Sequence, residues 1–258
     1  MTTLVAHTGH LTGRSLRALL RQPAFVVISL IQPMIWLLLF GQLFQGVVAL
    51  PGFGTASYLE FLTPGVVIMT VLFSSGWSGM SFIEDMQRGV MDRMLSSPVR
   101  RGAMMASSMA YNGVTTLVQS LVVVLVAVAV GARFGGGVLG VLVLLLSAVL
   151  LAAAFGSLSN GMALLLRTTE SLIGFSTMLT LPLAFLSTAI IAGEAAPGWI
   201  RAVAAWNPVD WAVVAAREAL ATDPDWGAVG LRLLGLAAVA LLLAAVATRA
   251  FRSYQRSV

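Results

Sequence analysis

The sequence contains no cysteine and no lysine, only two histidines, and only 10% charged residues in a chain of 258. The absence of cysteine excludes a disulfide framework, a thiolate metal site and a thiol nucleophile. The absence of lysine excludes a standard Walker A phosphate loop, because that loop requires its lysine. The histidines, His7 and His10, have few carboxylates beside them, so we expect no metal site. Since the apolar runs contain no histidine to activate a serine, we expect no catalytic residue on this chain.

What the sequence does contain is apolar: 59% of its residues are hydrophobic, which indicates an integral membrane protein. Six runs are long enough for helices that cross a hydrocarbon layer, which takes roughly 20 residues. Pro33 and Pro182 fall inside the first and fifth runs and should kink or break those helices. We see no soluble domain and predict one all-α membrane domain over residues 1–258. Its six transmembrane helices are expected at 24–48, 61–82, 104–130, 138–166, 172–192 and 228–248.

The distribution of the arginines along the sequence predicts the orientation of the chain in the membrane. An even number of crossings puts both termini on one side, and eleven of the fifteen arginines then lie in segments on that side. Cytoplasmic segments carry such an excess of positive charge, so both termini are predicted to be cytoplasmic. The net charge of +5 is read in the same way, as a determinant of topology, and we expect no nucleic-acid partner.

The longest polar interval on the cytoplasmic side follows the second span, and we predict a helix over residues 83–98. Gly89 is a weak point within it, and Pro98 stops it. The helix could pack one face on the bundle and offer the other to a soluble partner; the alternative is an ordinary solvated connector. The apolar face would hold Ile83, Met86, Val90 and Met94, and the charged face Glu84, Asp85, Arg88 and Asp92.

Two further segments have interfacial character. Residues 8–22 predict an amphipathic helix in contact with lipid headgroups, with Arg14, Arg17 and Arg21 on one face; the alternative is a solvated basic tail. The outer segment 193–227 holds four of the six tryptophans, among them Trp199. Within 197–221 we predict two short outer-leaflet helices, the second capped by Asn207 with Pro208 in its first turn. A seventh span is the alternative, which the charges of this segment disfavour.

Polar and aromatic side chains in the first, second and fifth spans are candidates for a translocation path. For any one polar residue the alternative role is a hydrogen bond between closely packed helices. The same alternative applies to the cluster Gly156, Ser157, Ser159, Asn160 and Gly161 in the fourth span. The path candidates are Gln32, Trp36, Gln42, Ser74, Trp77, Ser176, Thr177, Phe185 and Ser187.

Several motifs in this order resemble the ABC-2 type transporter permeases, especially the branch typified by daunorubicin-resistance permeases. The resemblance covers nearly the whole chain. It is carried by Glu84-Asp85, Arg88-Gly89, Asp92-Arg93, Ser97-Pro98 and Arg101, then by the stretch 181–187, Pro197-Gly198-Trp199, Trp206-Asn207-Pro208 and Arg217.

The resemblance implies a non-catalytic permease subunit in a bacterial inner membrane, paired with a second permease as a homodimer or heterodimer. Two copies of a separate ATP-binding subunit would carry ATP and Mg, with no cofactor on this chain. The helix over 83–98 would be the coupling helix, and the outer helices, with Trp199, Asn207, Pro208 and Arg217, would cap the exit. The coupling residues would be Glu84, Asp85, Arg88, Gly89, Asp92, Arg93 and Pro98.

By the same likeness the cargo is an amphipathic drug, antibiotic or natural product, and export of a lipid-linked glycan is the nearer alternative. Alternatives from other classes are a secondary carrier and a membrane-embedded enzyme. A proton-coupled carrier usually needs an ionisable group inside the membrane, and this chain has almost no carboxylate there. An enzyme would need a catalytic dyad in the spans, and none is evident.

Overall fold

The computed structural model describes residues 23–46, 57–89, 101–190 and 197–254, and over these ranges its regular structure is entirely helical. A π-helical turn, Trp36–Phe40, and a short turn, Gly41–Leu43, prolong the first helix. The helices are α1 (Pro23–Ile35), α2 (Tyr58–Gly76), α3 (Met80–Gln87), α4 (Arg101–Val130), α5 (Gly137–Leu166), α6 (Thr169–Phe185), α7 (Gly198–Ala204), α8 (Pro208–Leu220) and α9 (Trp226–Tyr254).

Four helical stretches in the described part of the chain are long and apolar enough to cross a membrane: Tyr58–Gln87, Ala106–Val130, Gly137–Leu166 and Trp226–Ala250. Val27–Leu43 is a shorter apolar helix. The fifth expected span is also short, because α6 ends at Phe185; Pro182 lies inside this helix and does not break it. An all-α multi-pass membrane protein is therefore confirmed, whereas the count of six crossings stays a prediction.

Helix α5 is the centre of the bundle and contacts α2, α3, α4, α6, α8 and α9. Small residues along it allow neighbouring backbones to come close, as is usual between membrane helices. A Cβ on Gly140 would overlap the carbonyl oxygen of Ala219 in α8, and a Cβ on Gly161 would lie 3.2 Å from the Cα of Ala247 in α9. These close contacts determine the positions of α8 and α9 against the two ends of α5.

The apolar core divides into two clusters. The main cluster joins α2, α4, α5 and α8 and includes Leu62, Leu144 and Val213. The smaller one, called the α3 cluster here, lies at the other end of α5. It contains Phe82 and Ile83 of α3, Ala163 and Leu164 of α5, Leu172 of α6 and Ala247 of α9. The bundle therefore has an α8 end and an α3 end, each with its own packing.

The close contact between α5 and α8 predicts the effect of adding one methyl group at Gly140. Gly140→Ala would force the two helices apart, and overpacking of this kind typically costs about 1–3 kcal/mol. We expect a lower unfolding temperature in detergent. Gly230→Ala in α9 is the control, because a Cβ there meets open space. Equal unfolding temperatures for the two variants would contradict the packing described here.

Candidate functional site

Helix α3 occupies the start of the predicted coupling segment. It begins at Met80 and ends at Gln87, so it starts three residues before the predicted helix over 83–98 and ends well before residue 98. The early end has a local cause: Gly89 has a φ of +66°, a left-handed conformation that glycine adopts without a steric penalty. The remaining predicted coupling residues, Asp92, Arg93 and Pro98, lie outside the described residues, as do Arg14, Arg17 and Arg21 of the predicted N-terminal helix.

The two faces of α3 have opposite environments. Phe82 and Ile83 are buried in the α3 cluster against α5, α6 and α9. On the other face, the side chains of Glu84 and Arg88 are 58% and 73% exposed and form an i,i+4 ion pair at 3.5 Å. Such an exposed pair contributes little to stability, about 0.3–0.5 kcal/mol. Its charges are therefore available to a partner at small cost to the fold.

Between α2 and α3 the helix breaks at Trp77–Gly79, and a side chain from α5 bridges the break. The Ser159 hydroxyl donates to the Gly76 carbonyl at 2.6 Å and accepts from the Gly79 N–H at 3.1 Å. Ser176 of α6 donates to the same Gly76 carbonyl at 2.7 Å. A Cβ on Gly79 would overlap the Ser159 carbonyl oxygen, so only glycine permits this approach. Two helices thus satisfy the backbone groups that the break exposes.

Further hydroxyl and amide groups extend this contact to α4. Ser78 donates to the Gly156 carbonyl at 3.3 Å and lies 3.3 Å from Asn160 Oδ1. The Asn160 amide then donates to the Ser108 hydroxyl of α4 at 3.0 Å. We call this set the polar junction. It comprises Gly76, Ser78, Gly79, Ser108, Ser159, Asn160 and Ser176.

At the α8 end, a second irregular segment is held by side chains of α8. After α6 ends, residues 186–190 are not helical. Asn207 caps α8 by accepting from the Val209 N–H at 2.9 Å, and its amide donates to the carbonyls of Leu183 at 2.8 Å and Leu186 at 3.0 Å. One side chain therefore begins α8 and anchors the end of α6.

Two charged residues complete this contact, and with Asn207 we call them the α8 clamp. Asp210 is buried, and its Oδ1 accepts from both the Thr188 N–H and the Thr188 hydroxyl at 2.7 Å. Arg217 donates to the carbonyls of Thr188 at 3.1 Å and of Ala189 and Phe61 at 3.3 Å. Its guanidinium also lies over the Phe61 ring, 3.8 Å from the centroid. The clamp thus ties α8, the segment after α6 and the start of α2 together.

Arg217, the basic residue of the clamp, stays charged at neutral pH. Burial lowers the pKa of Arg217 to about 10, and the negative charge of Asp210 partly offsets this by raising it. Since this value still lies well above neutrality, the guanidinium stays protonated. A charged donor strengthens its bonds to the carbonyl oxygens, because charge-assisted hydrogen bonds are roughly twice as strong as neutral ones.

The predicted path residues fall into three groups by burial. Ser176 and Ser187 are buried and donate to backbone carbonyls, those of Gly76 and Ala184, so each has a packing contact. Trp36 and Thr177 are partly buried. The others, Gln32, Gln42, Ser74, Trp77 and Phe185, are exposed on the single chain, with Trp77 at 50% and Phe185 at 70%. Trp199 of α7 is exposed as well.

Apart from Ser176, the residues of the polar junction were not among the predicted site residues, and neither was Asp210. The sequence did contain a signal for the junction, in the glycines at 76 and 79 and in the small polar cluster at 156–161. No pattern within either segment indicated that the two segments, which are about 80 residues apart in the sequence, are in contact.

The part of the chain that matches known proteins includes both the α3 end and the α8 end of the bundle. The chain matches the ABC-2 type transporter family over residues 7–221. It is 28% identical over 252 residues to the daunorubicin resistance ABC transporter permease protein DrrB1 of Streptomyces coeruleorubidus, covering 98% of this chain and 88% of that protein. It is 29% identical over 194 residues to the putative transport permease ycf38 of Cyanophora paradoxa, covering 75% and 67%. Identity to the probable doxorubicin resistance ABC transporter permease protein DrrC of Mycobacterium tuberculosis is 25% over 161 residues, covering 62% and 58%.

The α8 clamp predicts the effect of removing its carboxylate. Asp210→Ala would leave the buried Thr188 N–H and hydroxyl without their acceptor, at a cost of about 1–3 kcal/mol for each unsatisfied group. We expect a clear fall in the unfolding temperature, with partial recovery in Asp210→Asn, which keeps an acceptor oxygen. Asp223→Ala is the control at an exposed aspartate. The clamp would be refuted as a stabilising contact if Asp210→Ala unfolded at the temperature of Asp223→Ala.

Proposed function

The chain belongs to the ABC-2 type transporter family, and from this we propose that it is the permease subunit of an ATP-driven exporter of amphipathic drug-like compounds. The family resemblance predicted from the motifs is thereby confirmed. In the proposal, a separate ATP-binding subunit supplies the energy, and this chain supplies the path through the membrane.

The observation that carries the proposal is the two-faced packing of α3. Its apolar face is buried against the ends of α5, α6 and α9, while Glu84 and Arg88 point away from the core and are exposed. A soluble partner that binds the charged face would therefore push on an element that is already packed on three other helices. This is the arrangement that a coupling helix needs. Asp85, Gly89 and the residues up to Pro98 belong to the same proposed contact surface.

The names of the relatives support the type of cargo. Two of them are described as daunorubicin and doxorubicin resistance permeases, which suggests that this chain also exports amphipathic, drug-like molecules. Apolar side chains on α1 and α6 fit such a cargo, because Ile31, Ile35 and Met178 are exposed on the single chain. We propose that Gln32, Trp36 and Thr177 contribute polar contacts along the same path.

The lack of lysine supports a multi-subunit assembly. A chain without lysine cannot form a standard Walker A loop, so the ATP and Mg would be bound by partner chains. We propose two copies of that ATP-binding subunit and a second permease, either a further copy of this chain or a related one. The permease itself would be non-catalytic.

The arginine distribution supports an orientation in a bacterial inner membrane. With the termini in the cytoplasm, Arg88 and Arg167 at the α3 end lie on the side of the ATP-binding subunits, and the α8 end faces outward. The exposed Trp199 of α7 then fits the outer interface, where indole rings are favoured.

Co-purification tests this proposal. The tagged chain would be purified from its native membrane in mild detergent, and the bound proteins would be identified and assayed for ATP hydrolysis. We expect a stoichiometric soluble partner with a Walker A motif and vanadate-sensitive activity. A chain that is purified alone, and whose transport persists without ATP, would contradict the proposal and favour a secondary carrier.

The exposed charge on α3 predicts a defect in coupling. Arg88→Ala should lower drug-stimulated ATP hydrolysis by the partner by about tenfold or more, because a charge-assisted contact typically contributes about 1.5–3 kcal/mol. The unfolding temperature should hardly change, since the Glu84 pair is exposed.

The matched control is Arg201→Ala, which removes an exposed arginine of α7 at the α8 end. Hydrolysis should be measured with purified complexes in lipid nanodiscs, with and without doxorubicin. Wild-type stimulation in Arg88→Ala would argue against the proposed role of α3.

A further inference from the structure

We infer that Ser159 is a positioning residue for energy coupling, because its hydroxyl fixes the angle between α2 and α3 across the break at Trp77–Gly79. The inference rests on the proposed function and adds to it the element that transmits the movement of α3. Ser159 lies on α5, outside the exposed charged face of α3, and it shares its acceptor, the Gly76 carbonyl, with the path candidate Ser176.

The first step of the argument is the geometry of one hydroxyl. Ser159 donates to Gly76, the last residue of α2, and accepts from Gly79, the residue that precedes α3. It is thus bonded on both sides of the break at the same time. A rotation of α3 relative to α2 changes the distance between these two backbone groups. A rotation that separates them lengthens at least one of the two bonds.

The second step is that α2 and α3 belong to different packing units. The side chains of α2, such as Leu62 and Leu72, are part of the main cluster. Those of α3, Phe82 and Ile83, belong to the α3 cluster with the ends of α5, α6 and α9. The break lies at the boundary between the two clusters. It is therefore the place where one unit can turn against the other without disturbing either core.

The third step concerns which helices a movement of α3 would displace. The Gly76 carbonyl accepts from Ser159 and from Ser176, so it is shared by α5 and α6. The Thr180 hydroxyl, one turn further along α6, donates to the backbone carbonyl of Ser176 at 2.8 Å. A displacement of α3 that pulls on Gly76 thus acts on α2 and α6 together. Of the predicted path residues, Ser74 lies on α2, Thr177 and Phe185 lie on α6, and Trp77 lies in the break itself.

Removing the hydroxyl tests the inference. In Ser159→Ala the side-chain link between Gly79 and Gly76 is lost, so a movement of α3 is passed on to α2 less completely, and ATP hydrolysis should continue with less transport. We expect the amount of doxorubicin transported per ATP hydrolysed to fall on the order of tenfold, because the substitution removes both hydrogen bonds that the Ser159 hydroxyl makes across the break. Transport would be measured in proteoliposomes that contain the complex with its ATP-binding subunit.

The matched control is Ser147→Ala. Ser147 is buried in the same helix, but its hydroxyl donates to the Val143 carbonyl of α5 itself. It should keep the wild-type ratio of transport to hydrolysis. The inference is overturned if Ser159→Ala keeps that ratio too. It is also overturned if transport and hydrolysis fall in parallel with the unfolding temperature, since that pattern indicates a structural role alone.

A second variant perturbs the same contact from the opposite side. Gly79→Ala places a methyl group against the Ser159 carbonyl and should force the junction open, with the same loss of coupling. Gly113→Ala in α4 is its control, because a Cβ there meets open space. If Ser159→Ala does not fold, this pair decides the question in the same way, and an unchanged ratio in Gly79→Ala counts against the inference.

Hydrogen exchange separates the failure of this inference from the failure of the proposed function. Backbone amides of residues 77–83 should exchange faster in Ser159→Ala than in Ser147→Ala, because the Gly79 N–H loses its acceptor. Equal exchange in the two variants overturns the inference even if the wild type transports. A wild-type complex that transports no doxorubicin refutes the proposed cargo, and the exchange comparison still tests the contact.

Discussion

The structure depends on one constraint: inside a bilayer, every backbone polar group must find a partner within the protein. A continuous helix satisfies this constraint by itself, but this chain interrupts its helices at Trp77–Gly79 and after Phe185. Each interruption leaves carbonyl and N–H groups that only other helices can satisfy. Side chains of α5 and α6 do so at the first, and side chains of α8 at the second. The positions of these helices relative to α2 and α6 follow from that requirement.

The two interruptions use different chemistry. At the α8 end the partners are ionised, with Asp210 on the Thr188 N–H and Arg217 over Phe61 and on three carbonyls. Arginine suits this position better than lysine because its planar fork donates to several acceptors while its face stacks on an aromatic ring. At the α3 end the partners are neutral hydroxyl and amide groups. The exposed charges of α3 lie outside this network.

Much of this fold follows from the sequence, because its signals are local. The long apolar runs at 104–130 and 138–166 predicted α4 and α5, and Asn207 with Pro208 predicted the start of α8. The break between α2 and α3 was not predicted, since Ile68 to Phe82 is apolar enough to be read as the end of one span. What stabilises the break is Ser159, about 80 residues further along the chain. The family could be recognised from motif order, whereas the α8 clamp and the polar junction required the distances between helices.

The difference in chemistry between the two ends has a mechanical consequence. A neutral hydrogen bond contributes about 0.5–1.5 kcal/mol net, and one to a charged group about 1.5–3 kcal/mol. The clamp combines several bonds to charged groups, so the contact between α8, α2 and the end of α6 should hold while the weaker polar junction rearranges. A force applied to α3 would then act on the end of α2 and on α6, through the Ser159 and Ser176 bonds to Gly76, rather than move the whole bundle. A single rigid helix over Tyr58–Gln87 would instead transmit the force directly to the α8 end, where the charged contacts would resist it.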